Sequence, residues 1–191
     1  MSPGTDLVVL VDRDDRDVGV CEKLAAHQAP GRLHRAFSVF LFKPDGRLLL
    51  QQRATAKYHF GGRWSNSCCG HPRPGQDLVL EARRRTREEL GLDCELTLAG
   101  SMIYRATDDA SGLVEHELDH VLVGITEEAP FPAPGEVSDV SYEYPSLIVQ
   151  LIHREPDRYT PWLPLALGLA TPSAPRPRRP GPEATPADRP T

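Results

Sequence analysis

The tetrapeptide Lys43-Pro44-Asp45-Gly46 constrains the fold more than any other feature of the sequence, because it lies between two strand-like runs, residues 36–42 and 47–52. Proline presets the backbone at a turn's first corner and glycine accepts the left-handed conformation at its last, so the pattern predicts a β-hairpin. Further strands are predicted at residues 7–11, 96–104, 113–125 and 137–144, while residues 17–20 read as a turn leading into the segment 22–27. One long helix interrupts this series. Residues 76–90 are helical, with Asp77 placed to cap the N-terminus and Gly91 where a helix C-terminus favours glycine. Two shorter helices are expected at 146–153 and 161–169. Strands with helices in the middle and at the end predict an α+β fold, an α/β/α sandwich around a mixed sheet.

A hydrophobic fraction of 39% over 191 residues supports one core. Seven of the 19 prolines fall at or after Pro172, beside Arg176, Arg178 and Arg179, in a stretch with little to bury. Residues 1–170 are therefore expected to form the domain and 171–191 a disordered Pro/Arg-rich tail. A formal charge of −5 counts against a nucleic-acid partner. No apolar run approaches the ~20 residues of a membrane span, and the first residues lack the charged and apolar regions of a signal peptide. Four cysteines, two of them adjacent, do not form a secreted disulfide framework, so a cytoplasmic protein is expected.

Chemistry concentrates in Trp64-Ser65-Asn66-Ser67-Cys68-Cys69-Gly70-His71-Pro72. If this segment is extended, Cys69 and His71 share one face and Cys68 takes the other. A thiol beside an imidazole points to a reactive cysteine or a metal site; a buried strand with two packed thiols is the plainer alternative. His27 and His34 flank a Pro-Gly break and can converge on one point, although loop histidines are commonly just solvated. Arg53 and Lys57 precede Gly61-Gly62, a pattern that suits either a phosphate or solvent. Arg85 and Glu89 stand at i and i+4 on the charged helix, on the side of Leu78 and Leu92. Glu115 and Glu117 share a strand face, where paired carboxylates either raise one pKa, bind a cation, or lie harmlessly on an exposed edge.

Together the segments resemble the type I isopentenyl-diphosphate Δ-isomerase family of the Nudix-fold superfamily. The matching stretches are Leu24-Ala25-Ala26-His27, residues 32–38, residues 64–72, Glu88-Glu89-Leu90-Gly91, Tyr104-Arg105-Ala106 and Val114-Glu115-His116-Glu117, in the family's order. The resemblance implies a Nudix-like domain that interconverts isopentenyl and dimethylallyl diphosphate through a tertiary carbocation. It implies Cys69 and Glu117 as opposed proton-transfer groups, Tyr104 as an aid to protonation, and Trp162 as the aromatic face toward the cation. His27, His34, His71, Glu115 and Glu117 match the ligands of a divalent metal, Mn²⁺, Zn²⁺ or Mg²⁺. Lys23, Arg53, Lys57 and Arg85 match the diphosphate clamp, with Mg²⁺ bridged by Glu89.

The Nudix hydrolases share a box ending in Arg-Glu-x-x-Glu-Glu-x-Gly, and here Arg85 stands where they carry a metal-binding glutamate. Losing that carboxylate weakens a water-activating metal cluster and favours an isomerase. The alternatives are a Nudix diphosphohydrolase acting on a nucleotide or prenyl diphosphate, and a non-catalytic zinc module built on Cys69, His71 and the other histidines. The partner expected is a small prenyl diphosphate, with a monomer or weak dimer in solution.

Overall fold

The computed structural model describes residues 6–174. Its centre is β3 (His34–Phe42), whose side chains alternate between two cores. Phe37, Val39 and Leu41 face α2 (Leu78–Leu90), whereas Phe40 and Phe42 face α3 (Pro145–Arg154) and α4 (Leu163–Ala170). The three phenylalanines are essentially sealed from solvent, and burying each stabilises the fold by roughly 1.5–3 kcal/mol. A one-residue slip of β3 would exchange these two sets of side chains, so the two cores lock its register. The result is the expected three-layer α/β/α arrangement.

Around β3 stand β1 (Leu7–Val11), β4 (Leu48–Arg53), β6 (Cys68–Gly70) and β8 (Val114–Ile125). Outside them lie β2 (Asp17–Glu22), β5 (Trp64–Ser65), β7 (Leu96–Thr107) and β9 (Val137–Glu143). The β3–β8 pair is parallel and the remaining pairs are antiparallel, so the sheet is mixed. Asp77 caps α2 by accepting from the Leu80 amide at 2.9 Å, and Gly91 ends the helix at φ 68°. A short helix α1 (Lys23–His27) is capped by Glu22, which accepts from the Leu24 and Ala25 amides.

Three expectations change. The hairpin at Lys43–Gly46 closes on one pair, Phe42 opposite Leu48; beyond it the strands diverge, β3 to β8 and β4 to β9. Residues 17–20 are strand, not turn: β2 pairs along β1 although Val18 and Val20 are exposed. Ordered structure also passes the expected boundary at residue 170 through the turn Thr171–Ser173, with Ala174 packed on the α3–α4 core. The Pro/Arg-rich tail from residue 175 lies outside the described residues. Among the described residues no helix is long and apolar enough to cross a membrane.

Candidate active site

Strand register assembles the site. On β3 and β8, His34 stands opposite Glu117; across β8, β7 sets Tyr104 opposite the same Glu117. One step along the sheet, β6 sets Cys69 opposite Ser38. Residues two apart on a strand share a face, so Glu115, Glu117 and Asp119 point together with His34 and Ser38. The α1 helix brings His27 over this face, and the chain leaving β6 brings His71. Cys68 points the opposite way, fully buried against α2. The alternation expected for the Trp64–Pro72 segment therefore holds for its two cysteines, although the segment is two short strands broken at Asn66 and Ser67.

The ring atoms of His27, His34 and His71 converge with a Glu117 oxygen, all mutually within 4.8 Å. His27 and His34 each donate from Nδ1 to a backbone carbonyl, of Lys23 and Arg32 respectively, both at 2.7 Å. That fixes the tautomer in which Nε2 offers a lone pair to the centre. His34 Nε2 and His71 Nε2 face each other at 3.1 Å, and His71 Nε2 lies 2.8 Å from Glu117 Oε1. Burial presses His71 down to about 4, so it stays neutral. Burial would raise Glu117, but the His34 and His71 imidazoles beside it outweigh that and hold the carboxyl well below its usual value. Glu115 follows the same logic: burial and the Glu117 charge raise it, and the His27 and His59 imidazoles beside it lower it overall. Three imidazoles, two of them turned inward by backbone carbonyls, beside two buried carboxylates fit a divalent cation. Glu115 reaches the cluster at one remove, through His27 Nε2 at 2.9 Å.

Beside the cluster is a small cavity of about 70 Å³, bounded by Cys69, Tyr104, Glu117, Trp162 and Phe37. Tyr104 donates its hydroxyl to Glu117 Oε2 at 2.5 Å. Burial, then the Glu117 charge, keeps the Tyr104 phenol protonated. Burial pushes the Cys69 thiol up to about 12, with the Asp119 charge adding to the effect. The buried Asn66 amide oxygen accepts from Cys69 Sγ and from Trp162 Nε1, both at 3.1 Å, while its nitrogen donates to the carbonyls of Val39 and Cys68. One side chain thus orients both the thiol and the indole. Asp119, accepting from Ser38 at 2.7 Å, is raised by burial to about 8.

A wider vestibule of about 490 Å³ adjoins the cavity and shares Lys23, Lys57, Gly70 and His71 with it. Arg85 lines the vestibule, joined by Arg73 and Arg84, two cations the sequence reading did not single out. Glu89 is not among the converging imidazoles; it is buried and ion-paired with Arg85, with Lys57 at 3.8 Å. Arg53 lies deeper than the other proposed clamp residues, 5.6 Å from the Trp162 ring centre and bonded to the His59 carbonyl. Asn66 and Ser38 fall inside the motif stretches and were available to sequence reasoning. His59 carried no spacing signal, yet its Nε2 sits 2.6 Å from Glu115 Oε1.

The NUDIX domain family matches residues 32–164. A protein of Nocardia farcinica, an isopentenyl-diphosphate Delta-isomerase, is 48% identical over 163 residues, 85% of this chain and 93% of its own. One of the same name from Pectobacterium atrosepticum is 49% identical over 160 residues, covering 83% and 87%. Among solved structures, a Deinococcus radiodurans protein superposes with a TM-score of 0.70 at 20% identity, over 85% of this chain and 98% of its own. The MutT protein of Methanosarcina mazei gives 0.60 at 15% identity, over 71% and 91%. These two share the fold.

Proposed function

The chain belongs to the isopentenyl-diphosphate Delta-isomerase family of NUDIX-domain proteins, and from that premise we propose that it interconverts isopentenyl and dimethylallyl diphosphate by opposed proton transfers. One group adds a proton to the terminal methylene carbon of the alkene and leaves a tertiary carbocation. The other removes a proton from the carbon on the diphosphate side, and the double bond moves. The observation that carries this reading is that Cys69 and the Tyr104–Glu117 pair face one small cavity walled by Trp162. A thiol and a carboxylate across a cavity sized for a few carbon atoms suit proton exchange at an alkene better than attack by water on phosphorus.

Each residue has a physical task in this scheme. Trp162 offers its π face to the cation, an attraction of about 2 kcal/mol or more when water is excluded, and Asn66 holds the indole edge. Tyr104 donates to Glu117, orienting the carboxylate. Lys23, Lys57 and Arg85 bind the diphosphate in the vestibule, with Arg53 in the adjoining cavity, and Glu89 would hold a Mg²⁺ carried on the diphosphate. His27, His34, His71, Glu115 and Glu117 would hold a divalent cation, Mn²⁺, Zn²⁺ or Mg²⁺, which would supply fixed positive charge against the two buried carboxylates.

The ion pair of Arg85 with Glu89 supports isomerisation over hydrolysis, because it places a cation where a water-activating cluster needs carboxylates. Incubation with isopentenyl diphosphate and Mg²⁺, followed by proton and phosphorus NMR, tests the reading. Dimethylallyl diphosphate without phosphate release is the expected result. Release of phosphate or diphosphate without the isomer would assign a hydrolase instead.

A further inference from the structure

His59 belongs to none of the motifs that define the site, yet its ring is buried within it. Its Nε2 is 2.6 Å from Glu115 Oε1, while the other Glu115 oxygen is 2.9 Å from His27 Nε2. Both Glu115 oxygens therefore abut imidazoles, one of them a proposed metal ligand. A carboxylate oxygen only accepts, so the short contact requires the His59 proton on Nε2. Nδ1 of His59 is buried with no hydrogen-bond partner. Arg53 Nη2 lies 3.3 Å from the same Nε2, which with its proton turned to Glu115 cannot accept, and donates instead to the His59 carbonyl at 3.2 Å.

The loop is built to hold this pose. Phe60, the next residue, has φ 47°, a left-handed conformation that a bulky side chain adopts only under constraint. Its amide donates to Asp108 Oδ2 at 3.3 Å and its ring packs edge-on against Trp162. At Gly61 an added Cβ would lie 2.7 Å from the Thr55 carbonyl oxygen, so the chain can fold back there only without a side chain. Phe60 is thus anchored directly beside His59.

We propose that His59 is a positioning residue of the metal centre, holding Glu115 so that its second oxygen faces the His27 side of the cluster. The inference rests on the reading that His27, His34, His71, Glu115 and Glu117 form a metal site. Second partners of this kind set ligand orientation, and losing one typically weakens metal binding about 10–100-fold.

The test measures Mn²⁺ and Zn²⁺ affinity of the full chain by competition with a chromophoric chelator, independently of turnover. Four proteins are compared: unaltered, His34→Ala, His59→Met and His59→Gln. Methionine fills a similar volume without a donor, and glutamine restores an N–H that can reach Glu115. The expected result is one metal per chain, lost in His34→Ala, weakened about 10–100-fold in His59→Met and largely recovered in His59→Gln. Stoichiometric binding that His34→Ala abolishes and His59→Met leaves unchanged would overturn the role of His59 while leaving the metal site standing. Absence of stoichiometric binding in the unaltered protein would overturn the metal site itself, and this inference with it. Circular dichroism of each apo variant separates loss of fold from loss of ligand; if His59→Met unfolds, a folded His59→Gln of unaltered affinity still supports the donor, and one weakened as much as His34→Ala refutes it.

Discussion

Replacing Tyr104 by phenylalanine removes one atom from the centre of the proposed chemistry. The hydroxyl donates to Glu117 Oε2 at 2.5 Å with both residues buried. A buried hydrogen bond to a charged group is worth about 1.5–3 kcal/mol, and each 1.36 kcal/mol lost from the transition state is tenfold in rate. If the bond orients Glu117 during proton transfer, kcat falls roughly 10- to 150-fold. The hydroxyl touches neither Lys57 nor Arg85, so KM for isopentenyl diphosphate should stay within about twofold. The phenylalanine ring keeps the packing against Phe60 and Trp162, and a thermal melt checks that the fold survives. Initial rates are read by proton NMR of dimethylallyl diphosphate across substrate concentrations. A kcat within twofold of the unaltered enzyme, or a raised KM with kcat intact, would refute the assignment of Tyr104 to the proton-transfer pair.

The adjacent cysteines give a sharp contrast. Cys69→Ala should abolish measurable isomerisation while remaining folded and metal-loaded, whereas Cys68→Ala, which changes only the packing against α2, should keep activity within a few-fold at modestly reduced stability; equal losses in both would contradict a one-cysteine site. Because burial raises Cys69 to about 12, its alkylation by iodoacetamide at pH 8.5 should be slower by ~100-fold or more than that of an unhindered thiol. The unfolded chain releases this proton near pH 8.5 and the folded chain does so only near 12. The thiol's contribution to stability is therefore complete below about pH 8.5 and lost as pH rises toward 12. Denaturant melts from pH 8 to 10 should fall less steeply in Cys69→Ala.

What could be read from the sequence followed locality. Asp77 and Gly91 mark α2 through chemistry contained within a few residues, and Cys68 and Cys69 part faces by simple alternation. The i, i+2 spacing of Glu115 and Glu117 also survives, and their burial on an interior strand disposes of the exposed-edge reading. The β3–β8 pairing was not readable, because parallel register is set by the two cores that β3 serves. Yet that register brings His34 to Glu117. β2 escaped notice because Asp17 and Gly19 are poor strand formers and its valines are exposed, so backbone pairing with β1 outweighs propensity there. His59 was invisible for a related reason: it meets Glu115 far along the chain, on a loop whose next residue, Phe60, is tied to Asp108, 48 residues on. The elevated Cys69 pKa likewise depends on enclosure by residues distant in the chain, among them Ser38, Tyr104 and Trp162, which no local pattern encodes.

Turnover of isopentenyl diphosphate in D₂O, by protein of confirmed metal content and with Mg²⁺ present, tests the central claim most directly. Opposed proton transfers through Cys69 and Glu117 predict dimethylallyl diphosphate carrying deuterium in a methyl group, and recovered isopentenyl diphosphate labelled at the carbon from which a proton is removed. Unlabelled substrate with no dimethylallyl product, from a folded and metal-loaded enzyme, would contradict it.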